Sequence, residues 1–451
     1  MPPQNNQLKR GLKERHIQLI ALGGSIGVGL FLGSASSIRL AGPSIILVYL
    51  LAGMLVFFLL RALGELAVAY PVAGSFSAYA GIFFGPLAGY VTGWTYWFMW
   101  IIIGIAEITA IGIYMTFWLP ELPQWVSALA VVLVIAAVNA ITVEAYGEFE
   151  FWLSLIKVVT IASFIAIGLG VIFLGIGNNG IPIGTGNLFQ HGGFFPNGMQ
   201  GMIYALPMVI FAYMGVEIIG VTAGEAKEPE KALPSAINSF FLRILLFYVG
   251  SLYVILSLYP WTEIGEIGSP FVGVLEKTGV RYAAAFMNFV VLSAAASAFN
   301  SGIFSAGRML HSMAQNGTAP SFLGKVNMFR APLNAVLFSS GFLLAGVFLN
   351  YFIPSKIFVY ATSLSAFAGL FVWGMIFFAE LKFRHSLSGS QVSLLKYPMP
   401  WYPFSGLFCI VALALILIAM FLNSDTRLAV IIGPAWLVLL TVSYYFCGFK
   451  K

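Results

Sequence analysis

The chain has 451 residues, 60% of them hydrophobic and only 8% charged, with a mean hydropathy of +0.94. A soluble domain carries about 25% charged residues, so this composition excludes a water-soluble enzyme or binding module and points to an integral membrane protein. The net charge of +6 is scattered among loops, which argues against nucleic acid as a partner and for the lipid bilayer.

Apolar runs of about 20 residues, the length that crosses a bilayer, begin near residues 17, 44, 84, 124, 149, 201, 239, 280, 334, 356, 404 and 427, giving about twelve spans. Residues 1–16 read as a cytoplasmic tail, and the first apolar run continues past residue 51 without a cleavage-type break, so no cleavable signal peptide is expected. Span 1 carries ALGGSIGVGLFLG at residues 21–33. Each of Gly23, Gly24, Gly27 and Gly29 there costs roughly 1 kcal/mol against alanine in a helix interior. The spacing predicts an unwound span, tolerated in lipid only where the backbone is buried in protein or lines a cavity.

The stretch GELAVAYPVAGSFSAYAG (64–81) predicts a short amphipathic helix lying in the cytoplasmic interface. Residues 17–176 hold spans 1–5, and the Gly- and Asn-rich residues 177–200 read as an outer loop. Span 6 then carries a second glycine-broken stretch, FAYMGVEIIG (211–220), followed by GEAKEPEKALPSAI (224–237), which reads as a solvated cytoplasmic linker. Residues 201–380 hold spans 6–10, 381–403 a cytoplasmic loop, 404–447 spans 11 and 12, and 448–451 a cytoplasmic end.

The two breaks stand at matching places in two units of five spans. An odd number of spans per unit makes the second unit insert upside down relative to the first, which predicts an inverted repeat with two appended helices. With both termini cytoplasmic, seventeen of the 22 Lys and Arg residues fall on the inner side and Arg39, Lys277, Arg281, Lys356 and Arg427 on the outer. That asymmetry follows the positive-inside rule.

Broken helices carry their own chemistry. A half-helix starting after Gly27 offers free amide N–H groups suited to a carboxylate, and one ending near Ser25 leaves carbonyls suited to an ammonium group. The second break, around Phe211–Met214, offers the same. Together they match the zwitterion of an amino acid without a charged side chain. On span 3, Tyr96, Trp100, Ile103 and Glu107 follow steps of four, three and four and share one helix face, which reads as a pocket wall. Glu107 and Glu217 are acids inside spans, each costing roughly 2.5–3.5 kcal/mol on insertion scales. Glu217 reads either as a hydrogen-bond partner of the unwound backbone of span 1 or as a proton carrier. Lys157, about eight residues into span 5, reads either as a snorkelling side chain or as a buried amine that loads and releases a proton. Asn300, Ser301 and Ser305 of span 8 are candidate path-lining groups, and His311 reads as an interfacial histidine.

Cys409 and Cys447 read as packing residues, and no His, Cys or acid spacing suggests a metal or haem site. No cofactor is expected, and no catalytic triad or phosphate-cradling loop is legible, so the chain does not read as an enzyme. A substrate sensor would need a soluble output domain that the chain does not show.

The segments KRGLKERHIQLIALGGSIGVGLFLGSA, AGPS, RALGE, GSFSAYA, GPLAGYVTGWTYWF, GEFEFWLSLIKVVTI, GVEIIGVTAGEAKEPEKALPSAI and NSGIFSAGRMLHSMA run in order along nearly the whole chain. They resemble the bacterial amino-acid permeases of the amino acid–polyamine–organocation superfamily, and within it the branch holding proline and threonine permeases. The resemblance implies an all-α fold of about twelve transmembrane helices, a LeuT-like five-plus-five inverted repeat with helices 1 and 6 broken. It also implies proton-coupled import of a neutral L-amino acid at the bacterial inner membrane, with exchange as the alternative mode. Carried over by motif, Ser25, Gly27, Val28 and Gly29 would hold the substrate's backbone groups, with Phe211, Ala212 and Met214 completing the cradle and Phe211 acting as a gate. Tyr96, Trp100, Gly104 and Glu107 would shape the side-chain pocket, with Glu217 beside them. Lys157 would stand in place of a sodium ion and, with Glu217, couple transport to protons.

Overall fold

The computed structural model describes residues 24–72, 74–140, 143–222, 229–264, 269–277 and 282–446. The N-terminal tail, Gly23, residues 224–228 of the charged linker, Cys447 and residues 448–451 lie outside the described residues. Among the described residues every regular element is a helix.

Among the described residues nine helical stretches are long and apolar enough to cross a membrane, and Gln124–Asn139 and Leu245–Leu258 are shorter apolar helices. The stretch Gly33–Ala69 is two spans in one. It is parted at Gly42, whose φ of 62° lies in the region that favours glycine, and at Pro43, whose missing N–H cannot continue a helix. Counted so, the spans follow the expected order. Span 1 ends with Gly33–Ala41, and spans 2, 3 and 4 are Ile45–Ala69, Pro86–Met115 and Gln124–Asn139. Span 5 is Val143–Leu174 and span 6 runs from Gly198–Tyr213 into Ile218–Thr222. Spans 7 to 10 are Pro229–Leu258, Ala283–Gln315, Leu333–Phe352 and Pro354–His385, and spans 11 and 12 are Phe404–Leu422 and Ser424–Phe446.

Burial sorts these spans into layers. Spans 3, 6 and 8 have 78%, 78% and 83% of their apolar windows buried, whereas spans 11 and 12 have 39% and 22%. The exposed face of span 11 is Leu407, Phe408, Val411, Leu415 and Ile418, an apolar stripe that would be costly in water and matches hydrocarbon. Span 3 is the central post and packs along spans 8 and 10, while span 5 lies against spans 7 and 8. The protein is a multi-pass, all-α membrane protein.

Two local readings change. Residues 64–69 complete span 2, and the helix that follows, Ser75–Phe84, buries Ser75, Phe76, Ser77, Tyr79 and Ala80 and packs on span 3. Gly81 and Gly89 let it approach span 3 backbone to backbone, while Ile82 and Phe84 stay exposed on its other face. The charged linker is shorter than expected at its far end, since helix already begins at Pro229.

A candidate substrate cradle where two broken helices meet

Both predicted breaks are present. In span 1 the helix lapses at Ile26 and Gly27 and restarts at Val28, with Gly27 in extended backbone. In span 6 it stops at Tyr213, Met214 is extended, Gly215 takes φ 97°, and helix resumes at Ile218. The two gaps touch. A Cβ on Gly24 would stand 2.7 Å from Ile218 Cδ1, and one on Gly215 would strike the carbonyl oxygen of Gly24 and lie 3.3 Å from the Trp100 ring. Only glycine allows these backbones to lie so close.

Around the gaps the expected residues gather. Glu107 reaches the span 1 break, its Oε1 lying 3.5 Å from the Val28 amide and 2.5 Å from where a Gly27 Cβ would be. Its Oε2 is buried and accepts no hydrogen bond. Lys157 is fully buried, and its Nζ donates to the Ile26 carbonyl at 3.1 Å. Span 5 begins at Val143, so Lys157 sits fourteen residues along it, roughly 21 Å at 1.5 Å per residue. That depth and that partner set the snorkelling reading aside. Tyr96 pairs its hydroxyl with Ser305 at 2.5 Å and packs edge-on against Trp100.

Other residues stand differently from the expectation. Among the described residues Glu217 makes no hydrogen bond to the backbone of span 1. Its Oε2 accepts from Gly215 N and from Trp373 Nε1 of span 10, each at 3.2 Å, and its Oε1 accepts nothing. The carboxylate therefore caps its own helix gap, because the gap's free amides are the nearest donors. Gly29 faces Ala212 so closely that a side chain would collide with the Ala212 backbone, so its α-carbon packs spans 1 and 6 together while its amide belongs to the first turn of the half-helix Val28–Phe31. Gly104 turns toward Phe299 and Leu343, 3.1 and 2.7 Å from a built Cβ, on the side of span 3 that packs on spans 8 and 9. Met214 packs on Gly369 of span 10, and the Phe211 ring lies edge-on to Phe358 at 6.4 Å. Ser25 offers its carbonyl to the gap.

Sequence reasoning missed Tyr248 of span 7. Its hydroxyl lies 2.7 Å from the Ser25 carbonyl and 2.6 Å from the Ala212 carbonyl, so one phenol ties both gaps together. It stacks on Tyr213 at 4.8 Å, and Tyr213 in turn donates to the Tyr49 carbonyl. A tyrosine in an apolar run gives no sequence signal of such a role.

Seen as chemistry, the cradle offers carbonyls, an amide end, one buried lysine amine and two acids with unfilled acceptor atoms, all buried. A family model for amino acid permeases matches residues 16–449. The chain belongs to the amino acid permease family. The permease is 52% identical over its whole length to the "Uncharacterized amino acid permease YtnA" of Bacillus subtilis, covering 97% of that protein. It is 47% identical to the "Probable threonine/serine transporter YbxG" of the same organism over 99% of this chain and 96% of the relative. It is 45% identical to its "Amino-acid permease AapA", over 98% and 95%. The permease is thus an amino-acid transporter and not an enzyme.

Proposed function

We propose that this permease imports a small neutral L-amino acid, threonine first, with serine and proline as near candidates, by proton symport across the bacterial inner membrane. Both termini are cytoplasmic in this reading, and residues 17–176 and 201–380 form two inverted units that alternate access to the cradle. The observation that carries it is the meeting of the two helix gaps beside two buried acid oxygens, Glu107 Oε2 and Glu217 Oε1, that accept no hydrogen bond. Buried acceptors normally have partners, and a substrate ammonium group supplies the missing donors.

The substrate carboxylate takes the Val28 and Gly29 amides, displacing Glu107 Oε1 from Val28, and Glu107 then turns to the ammonium group. Threonine is favoured by the 47% identical relative named a probable threonine/serine transporter. Its hydroxyl would face the Tyr96 and Trp100 wall. Lys157 supplies the coupling. As an ammonium group it makes a charge-assisted bond to Ile26, about twice as strong as a neutral one, and on losing its proton it slackens the tie between spans 5 and 1.

The test is uptake into proteoliposomes with an empty lumen and an inside-alkaline pH gradient, using radiolabelled threonine, serine and proline. Accumulation above the equilibrium level supports symport. Uptake that requires internal amino acid and ignores the gradient would replace it with exchange.

A further inference from the structure

Seven residues before Lys157 on the same span lies Glu150, which no sequence motif singled out. It is fully buried. Its Oε1 accepts from Ser154 at 3.2 Å and from the Ser297 hydroxyl of span 8, and its Oε2 accepts from Asn300 of span 8 at 3.0 Å. Asn139 of span 4 fixes that amide by donating to Asn300 Oδ1 at 2.8 Å. Three donors converge on this one carboxyl group. A glutamine would not make the same contacts, since Asn139 fixes the Asn300 amide with its N–H2 toward Glu150 Oε2 and a glutamine N–H2 there would meet it donor against donor, so the site calls for an acid.

The placement relative to Lys157 is what gives Glu150 a task. Residues 150, 154 and 157 follow steps of four and three and share one face of span 5. Ser154 is buried, donates to Glu150 Oε1 and lies one turn before Lys157 on that face. Glu107 lies on the span 1 gap, while Glu150 lies two turns nearer the start of span 5, the cytoplasmic end in the proposed orientation. The other titratable groups nearby are Tyr248 from span 7 and Tyr146 one turn before Glu150, stacked on Phe304. Arg308 and His311 lie two and three turns beyond Asn300 on span 8.

We propose that Glu150 is the resident counter-ion of Lys157 and the group that receives its proton on the way to the cytoplasm, with Ser154 as the bridge. This rests on the proton-symport reading above. An N–H bond of the ammonium breaks and its proton joins the Ser154 oxygen. The hydroxyl's own proton passes to Glu150 Oε1, leaving a neutral amine and a neutral acid. Release of that proton to the cytoplasm restores the carboxylate, and the next proton from outside recharges Lys157. Glu150 touches no substrate and acts through Lys157.

The experiment compares wild type with E150Q and S154A in proteoliposomes, using a mixture of the twenty radiolabelled L-amino acids so that the substrate need not be known. Each is assayed for gradient-driven accumulation into empty vesicles and for exchange against the unlabelled mixture. Removing a positioned proton-transfer group costs about 100-fold or more in the step it serves. E150Q is therefore expected to exchange within a few-fold of wild type while losing gradient-driven accumulation, and S154A to lose part of it. Accumulation by E150Q equal to wild type overturns the proposal and leaves the symport reading intact. If wild type itself exchanges but does not accumulate, the symport reading falls and this proposal with it. Should E150Q neither exchange nor accumulate, S154A decides, since it keeps both charges: full accumulation by S154A overturns the relay.

Discussion

Gly215 turns its α-carbon onto the carbonyl oxygen of Gly24, so the unwound turn of span 6 rests directly on the last helical residues before the gap in span 1. This contact sets the width of the cradle. Two gaps held backbone to backbone present their free groups to the same small volume, and a substrate must share that volume with both.

Gly215→Ala tests the contact. The substitution places a Cβ where φ is 97° and where Gly24 O already stands. Left-handed backbone alone costs roughly 1–2 kcal/mol, and the clash adds to it. Purified protein should melt several degrees lower and lose amino-acid-induced stabilisation. Gly341→Ala is the control, because nothing lies within 4 Å of its Cβ position. It should melt no lower than wild type, since alanine is favoured over glycine in a helix by about 1 kcal/mol.

Lys157→Ala removes the only side chain donating to the Ile26 carbonyl among the hydrogen bonds described for it. Accumulation driven by a pH gradient should vanish while substrate exchange continues. Full concentrative uptake by this variant would sink the coupling role of Lys157. The readout is paired accumulation and exchange in one vesicle preparation.

Glu107→Gln keeps the shape of the side chain and removes its charge. A hydrogen bond to a charged group contributes about 1.5–3 kcal/mol, so affinity for the transported amino acid should fall about 10- to 100-fold. The melting temperature without ligand should change little, because Glu107 makes only one long bond, to Val28. Equilibrium binding by calorimetry or scintillation proximity gives the answer. Unchanged affinity would move the ammonium site to Glu217.

Arg384 of span 10 ties that span to span 2. Its Nε lies 2.6 Å from Glu65 Oε1 and 3.9 Å from Glu380 Oε1, and its Nη2 donates to the Met399 carbonyl. Glu65 also accepts from the Met399 amide. Arg384→Met strands two buried acids, a loss that costs about 3–5 kcal/mol for a broken buried pair, and should lower thermal stability sharply. Glu380→Gln, whose carboxylate oxygens accept no hydrogen bond, should be neutral or stabilising. Thermal unfolding of both variants in detergent checks the pair of signs.

The fold was legible because bilayer-spanning length and glycine breaks are written in short stretches. The stretches 21–33 and 211–220 predicted unwinding, and the structure unwinds at Ile26–Gly27 and Met214–Glu217. The shared face of Tyr96, Trp100 and Glu107 was legible for the same reason, being a property of one helix. Gly29 and Gly104 show where that reasoning stops. Each is a glycine in a motif-rich stretch, and each turns to a neighbouring helix, Ala212 in one case and Phe299 with Leu343 in the other.

The sequence by itself determined that this is a membrane protein of about twelve helices with two broken ones, and which residues sit in the breaks. These are local properties, set by apolar length and by the helix cost of glycine over a few residues. Only the tertiary structure decided the partner of each polar group. It placed Lys157 on Ile26, Glu217 on Trp373, Tyr248 across both gaps, and Glu150 among Ser154, Ser297 and Asn300. Those pairings depend on how each helix is rotated and which helix lies beside it. In a membrane, where apolar faces are matched by lipid and by protein alike, hydropathy carries little of that information.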